Sequence, residues 1–283
     1  MTEEVKSGQE NPLPPTPQAG QEVTVYDPGS DAGAGMENVT RDEYAIPFIR
    51  ILDAKSPQVS PPAAGGIPGA KPGSIFNVST NEVYDGDKGV EFIPVHRDHH
   101  FVEWIPKKED GSGGGFVGIR AVDDPLVTEL RAKHGQFGKL PTSDGHELAE
   151  TYYLYGLLVV EGMATPVLIG FSSTQIKKYR NFITRVMGIT YQGEKTAANP
   201  NGIIRPPMWA HRWRFQTVFE KKGTFSWYGW RIGLVEDPPL KSRLKTTDPF
   251  YIQGRELYNT IKEGRVVVKH DTEKQPVDEE IPF

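Results

Sequence analysis

The sequence predicts a mainly β fold with a few helices, and three observations carry that reading. Apolar residues fall in short β-branched and aromatic runs bounded by Gly, Pro, Asn or Asp, in a 283-residue chain holding 30 Gly and 24 Pro. Such punctuated runs are how strands and turns are written. Only three stretches read as helices by spacing and end signals. At 37% hydrophobic and 10% aromatic, the chain also has enough apolar matter to build a core, which excludes wholesale disorder.

Residues 1–40 hold seven acids and one Lys with no hydrophobic spacing, so an acidic disordered arm is expected there. One β-rich domain is expected over 41–264, ordered from about Tyr44. Ala45–Leu52 reads as a strand, with Pro47 near its start or on an edge. Ser74–Val78 and Glu82–Tyr84 flank Ser79-Thr80-Asn81 as a hairpin. Val90–His96 and Phe101–Ile105 read as two strands joined by a polar Arg97-Asp98-His99-His100 turn. Lys107–Gly115 is a loop by composition, and Phe116–Ala121 a strand. Asp123 or Asp124 can cap a helix that starts at Pro125, runs to Lys133 and ends at Gly135.

Tyr152–Val160 and Pro166–Phe171 form a hairpin around Glu161-Gly162. Thr174 is the expected cap of a basic helix, Gln175–Val186, ended by Gly188. After a polar loop, Ile189–Pro207, a second long hairpin joins Met208–Phe219 to Thr224–Val235. A last helix spans about Pro249–Ile261 and stops by Gly264, and 265–283 read as an acidic flexible tail. Many short strands with few helices point to an elaborated OB-fold-like or other small Greek-key barrel. Pattern alone does not separate these.

Several functional classes drop out. The absence of Cys removes disulfides, thiol nucleophiles and Cys-ligated zinc. Gly-Ser-Gly-Gly-Gly at 111–115 lacks the Gly-Lys-Ser/Thr of a phosphate loop, and neither G-x-S-x-G nor H-E-x-x-H occurs. No enzymatic activity and no cofactor is expected. His96, His99 and His100, with Asp98 and Glu103 nearby, invite a metal. An extended backbone sends His99 and His100 to opposite sides, however, so an exposed turn is preferred and no metal site is expected. No run approaches 18 apolar residues and no basic leader opens the chain. A bacterial or phage-infected host cytoplasm is therefore expected, without a membrane partner.

The net charge of −5 hides a strong asymmetry. Residues 172–235 carry eleven Lys/Arg against Glu194 and Glu220, a net +9, which leaves −14 for the remainder. The same window holds eleven aromatics, four of the five Trp among them. Cations neutralise phosphates and flat rings stack on unpaired bases, so this mixture suits single-stranded nucleic acid. With Glu220-Lys221-Lys222-Gly223 as the hairpin turn, Phe219 opposes Thr224, and alternation sorts two faces. Trp209, Trp213, Phe215, Phe219, Tyr228, Trp230, Ile232 and Leu234 form a core face. Arg212, Arg214, Gln216, Phe225, Trp227 and Arg231 form the other, with Gly229 leaving room above the sheet; Lys221 and Lys222 sit in the turn. A one-residue slip would swap faces on one strand. On the basic helix, Lys177, Lys178 and Arg185 project to one broad side while Ile176, Phe182, Ile183 and Val186 face inward, with Tyr179 at the boundary.

The chain closes on Asp278-Glu279-Glu280-Ile281-Pro282-Phe283. Carboxylates before a short apolar tip suit capture by a partner whose pocket takes the ring and whose basic rim reads the charges. This ending resembles the acidic Ile-Pro-Phe tip of bacterial single-stranded-DNA-binding proteins; the match covers only about the last six residues. The resemblance implies a phage-type single-stranded-DNA-binding protein that coats unpaired DNA and recruits replication, recombination and repair enzymes. It also implies that the tail competes with DNA for the basic surface. Two alternatives stay open: a strand-annealing factor for single and double strands, and a virion structural or assembly protein whose aromatic hairpin forms a subunit interface. Homo-oligomerisation is also left open.

Overall fold

The computed structural model describes Gly35 and residues 45–106, 114–135 and 138–268. The expected arm at 1–40 apart from Gly35, most of the 107–115 loop, and the tail beyond Val268 with its Asp278–Phe283 tip lie outside the described residues. Strands β1 (Ala45–Ile46) and β2 (Ile49–Ile51) open the fold, followed by β3 (Ile75–Asn77), β4 (Val83–Tyr84) and the long β5 (Val90–Trp104). Then come β6 (Phe116–Ala121), α1 (Pro125–His134), β7 (Lys139–Pro141), β8 (Glu147–Val160) and β9 (Met163–Ser172). Helix α2 (Gln175–Gly188) leads to β10 (Tyr191–Gln192), β11 (Ile203–Ile204), β12 (Trp213–Lys222) and β13 (Phe225–Leu234). Helix α3 (Pro249–Lys262) and β14 (Val267–Val268) complete the described chain.

The fold is mainly β with three α-helices among the described residues, as expected. Its centre is a seven-stranded antiparallel sheet ordered β13-β12-β5-β8-β7, with β6 added to β5 and β9 to β8. Phe171 of β9 and Trp230 of β13, from opposite ends of this sheet, share one core with Phe92, Leu154, Phe182, Trp213 and Phe215. The sheet is therefore curled into a β-barrel-like body, with α2 packed against both β9 and β13. Ile93, Val95, Tyr155 and Leu157 point to the opposite face and meet Leu257 of α3. Because both faces of β5 and β8 are covered there, Val90–Val95 and Tyr152–Val160 read as nearly continuous apolar runs rather than clean alternations.

Local chemistry explains most boundaries. Asp124 Oδ1 accepts the Leu126 N–H at 2.8 Å with Pro125 in the first turn, and Asp248 Oδ1 repeats the device with the Phe250 N–H at 2.9 Å. Both satisfy an otherwise orphaned amide at a helix start. Thr174 differs from expectation. It stands before α2 but is helical itself and makes no side-chain cap bond. Pro47 splits the expected Ala45–Leu52 strand into β1 and β2, since proline cannot donate to a ladder. The Ile189–Pro207 loop holds the short β10–β11 pair. Trp209 leaves the hairpin face assigned to it; it sits in a single 3-10 turn, Met208–Ala210, against Tyr258.

The largest correction is at 97–100. Arg97-Asp98-His99-His100 is no turn but the middle of β5, paired with Leu154 through Thr151 of β8. The polar side chains find partners there: His99 meets Glu150 at 2.9 Å and Asp98 takes His96 at 3.1 Å. Hydrogen bonds from His100 and His96 hold the Asp98 carboxyl far below the usual range. A register irregularity between Pro94 and His96 accommodates a proline inside a central strand. Opposite it, Gly156 leaves no room for a side chain: a Cβ would lie 2.3 Å from Phe92 Cζ and 2.4 Å from the Ile93 carbonyl oxygen. Gly156→Ala is expected to cost about 2 kcal/mol through overpacking. Calorimetry should register a Tm lower by about 6 °C.

Candidate nucleic-acid interface

The β12–β13 hairpin is longer than the sheet that supports it. The two strands pair from Trp213↔Leu234 to Lys222↔Phe225, yet β12 pairs with β5 only through Trp213, Arg214 and Phe215. Beyond Gln216 and Arg231 it runs on as a two-stranded arm. Its base is clamped on one face, where the Thr217 hydroxyl donates to the Gly73 carbonyl at 2.6 Å. The Tyr228 ring also lies over Gly73, where a Cβ would sit 2.5 Å from Cε1. Gly223, at φ +60°, opens the two-residue turn at the tip, a conformation that glycine adopts without steric penalty.

This register corrects the expected one. The turn is Gly223-Thr224 rather than residues 220–223, so Phe219 opposes Tyr228 instead of Thr224. The difference is four residues, an even number, so side chains keep their assigned faces. What changes is cover. Phe219, assigned to the core, is 56% exposed on the arm, edge-on to Tyr228 at 5.4 Å. Phe225 on the opposite face is 36% exposed, and Trp227 beside it is half-buried. Lys221 and Lys222 are exposed at the tip. The arm thus carries rings and lysines on both surfaces.

The remaining residues of that face are placed individually. Arg212 is half-buried and ion-paired with Glu91 at 3.1 Å. Arg214 lines a groove of about 500 Å³ together with Tyr84, Lys88, Glu91 and Val160. Arg231 is exposed and donates to Gln216 at 3.1 Å. The Trp227 indole N–H donates to Glu220 Oε2 at 2.9 Å, and the other oxygen of Glu220 takes Lys178 of α2. The room above Gly229 is filled: a Cβ there would lie 2.7 Å from Glu220 Oε2.

Helix α2 does not present its cations as one broad side. Lys178 turns to Glu220 on the arm, and Arg185 to the arm's root, where it donates to the Ile232 carbonyl at 2.9 Å and lies over the Trp213 ring. Gln175 accepts the Trp230 N–H at 3.0 Å. These bonds cover the free edge of β13, which would otherwise invite further strand pairing. Lys177 remains exposed, and Tyr179 is buried, stacked on Tyr152 at 4.5 Å.

One grouping was missed in the sequence. Ligand atoms of Glu103, Asp144 and His146 lie within 4.8 Å of one another. Glu103 already takes Arg120 at 2.7 Å and His146 at 2.9 Å. Both oxygens of Glu103 are thus already engaged by a guanidinium and an imidazole.

Among the described residues, no helix is long and apolar enough to cross a membrane. A family model described as Pam3 phage gp34-like protein matches residues 18–267. No curated protein and no solved structure matches the chain.

Proposed function

The chain belongs to the Pam3 phage gp34-like protein family, and from that premise we propose that it binds single-stranded DNA without catalysis in the infected host cytoplasm. The observation that carries this reading is the projecting β12–β13 arm, with Phe219, Phe225 and Trp227 beside Lys221 and Lys222. Rings stack on any unpaired base, and each stacked base contributes about 1–3 kcal/mol whatever its identity. Arg214 and Arg231 on the Phe225–Trp227 face, and Lys177 on α2, add further cations. Arg212 and Lys178 act as scaffolding in this reading, since each is already neutralised by a carboxylate. The Asp278–Phe283 tip is proposed to recruit replication, recombination or repair enzymes, on the strength of its sequence.

A titration with oligo-dT tests this. Trp227 lies on the arm, so its fluorescence should fall as bases stack. Four phosphate contacts, from Arg214, Arg231, Lys177 and Lys221, predict an affinity loss of about 50-fold between 50 and 200 mM salt. A chain ending at Val277 should bind oligo-dT at least as tightly while losing its partners. Unchanged fluorescence and no retained oligonucleotide at low salt would remove the DNA reading and favour an arm that joins subunits. Equal affinity for duplex would favour the annealing alternative.

A further inference from the structure

A second cationic site lies on the far side of α2 from the arm, over β5 and β8. Its centre is Glu150, a carboxylate only 9% exposed. A single oxygen, Oε1, meets His99 Nε2 at 2.9 Å, the Tyr152 hydroxyl at 3.1 Å, Arg131 Nη2 at 3.3 Å and Arg180 Nη2 at 3.6 Å. One carboxylate oxygen offers two lone pairs, so three hydrogen-bonding groups already outnumber them, and Arg180 is left as an ion pair that donates to the Tyr152 hydroxyl at 3.4 Å. Buried Arg131 Nε has no partner among the described residues, and the buried Tyr179 hydroxyl has only Arg97 to interact with as a donor. Burial pushes Glu150 up, but the His99 and Tyr152 hydrogen bonds and the Arg180 charge outweigh it and hold the carboxyl below the usual range. Glu150 therefore stays anionic and fixes the guanidiniums without satisfying them.

The cluster is open to solvent. The Arg180 side chain is 50% exposed and Arg131 28%. Arg97 is exposed beside them on β5, and the imidazole of His99 stacks on Tyr152 with ring centres 4.0 Å apart. Arg131 and Arg180 on one carboxylate, with Arg97 close by against Tyr179, leave a positive excess, and such a donor-rich cluster matches a ligand that only accepts. Phosphate and phosphodiester oxygens are such acceptors, and arginine forks fit them in bidentate geometry.

We propose that Arg97, Arg131, Arg180, His99 and Tyr152 form a phosphate site that holds the backbone of the same strand whose bases stack on the arm. This rests on the DNA reading above. Position supports the continuity: Lys178 reaches Glu220 on the arm while Arg180, two residues on, reaches Glu150. The two sites are thus separated by about one helix diameter, roughly 10 Å.

Arg180→Gln in the full chain tests this, with oligo-dT and pyrophosphate as probes. Arg180 is half-exposed, so the variant should fold, which its unchanged Tm in plain buffer would verify. Oligo-dT affinity should fall about five- to tenfold and the log–log salt slope by about 0.7, while the fluorescence change at saturation stays as in the parent chain. Arg180→Lys should restore part of the affinity. Pyrophosphate should raise the parent's Tm more than the variant's. If the parent binds oligo-dT and Arg180→Gln binds with the same affinity and salt slope, the phosphate site is wrong and the arm stands alone. If pyrophosphate is bound but oligo-dT is not, the site serves a free phosphate compound and the DNA reading fails. Failure of both probes removes both.

Discussion

Replacing Phe225 and Trp227 together with alanine is expected to weaken oligo-dT binding by at least 30-fold. Each ring stacked on a base is worth about 1–3 kcal/mol, so two contribute roughly 2–6 kcal/mol if both are occupied. Both residues lie beyond the point where β12 leaves β5, and Phe225 has no packing role in the core clusters. The fold should therefore survive, with far-ultraviolet circular dichroism unchanged and Tm shifted by a few degrees at most. Trp227 also donates to Glu220, so its loss releases part of the link to Lys178. For that reason Phe225→Ala alone is the cleaner measure of stacking and should cost about 5- to 150-fold. Fluorescence anisotropy of labelled oligo-dT measures both variants, and wild-type affinity in the double variant would take the arm out of the binding surface.

The second large effect is on stability. His211 stands at the arm's root, 3% exposed, with the Tyr191 hydroxyl against Nε2 and the two rings stacked. Burial, helped by the charge of Arg243, lowers its pKa to about 4 from the model-peptide 6.5. Between those values the unfolded chain takes up a proton that the folded chain refuses, so stability falls as pH drops from 6.5 toward 4. A shift of that size corresponds to about 3 kcal/mol at the acid end of the window. Asp98 and Glu150 act in a different range. Their carboxyls are depressed, so their contribution is present above about pH 4 and is lost only as pH falls further. His211→Gln keeps an acceptor near Tyr191 but does not titrate. Denaturant midpoints at pH 7, 5.5 and 4 should decline for the parent chain and stay level for the variant. Parallel declines would assign the acid sensitivity elsewhere.

Much of this architecture was legible because its signals are local. The Asp124-Pro125 start of α1, the Glu161-Gly162 turn and the two long hairpins each rest on a few adjacent residues. The faces of the second hairpin were recovered even though its turn was misplaced, because a shift of four residues preserves side-chain alternation. The continuity of β5 was not legible. Its polar middle is stabilised by Glu150 and Tyr152, about fifty residues away, and no local pattern announces them. Nor could alternation reveal that β12 outruns β5, which is what turns Phe219 from a core residue into an exposed one. The Glu150 cluster combines α1, β5, β8 and α2, and only Arg180 belonged to a basic motif visible in the chain. Ion pairs reassigned Arg212 and Lys178 in the same way: sequence supplies the cations, but folding decides which of them already have an anion.

Unpaired DNA gripped by the arm is the claim on which the functional account depends, and photo-cross-linking addresses it at residue level. An oligo-dT carrying 5-iodouracil, bound to the full chain at low salt and irradiated, should give peptide adducts concentrated at residues 218–228. Efficient cross-linking with adducts absent from that segment would contradict the account.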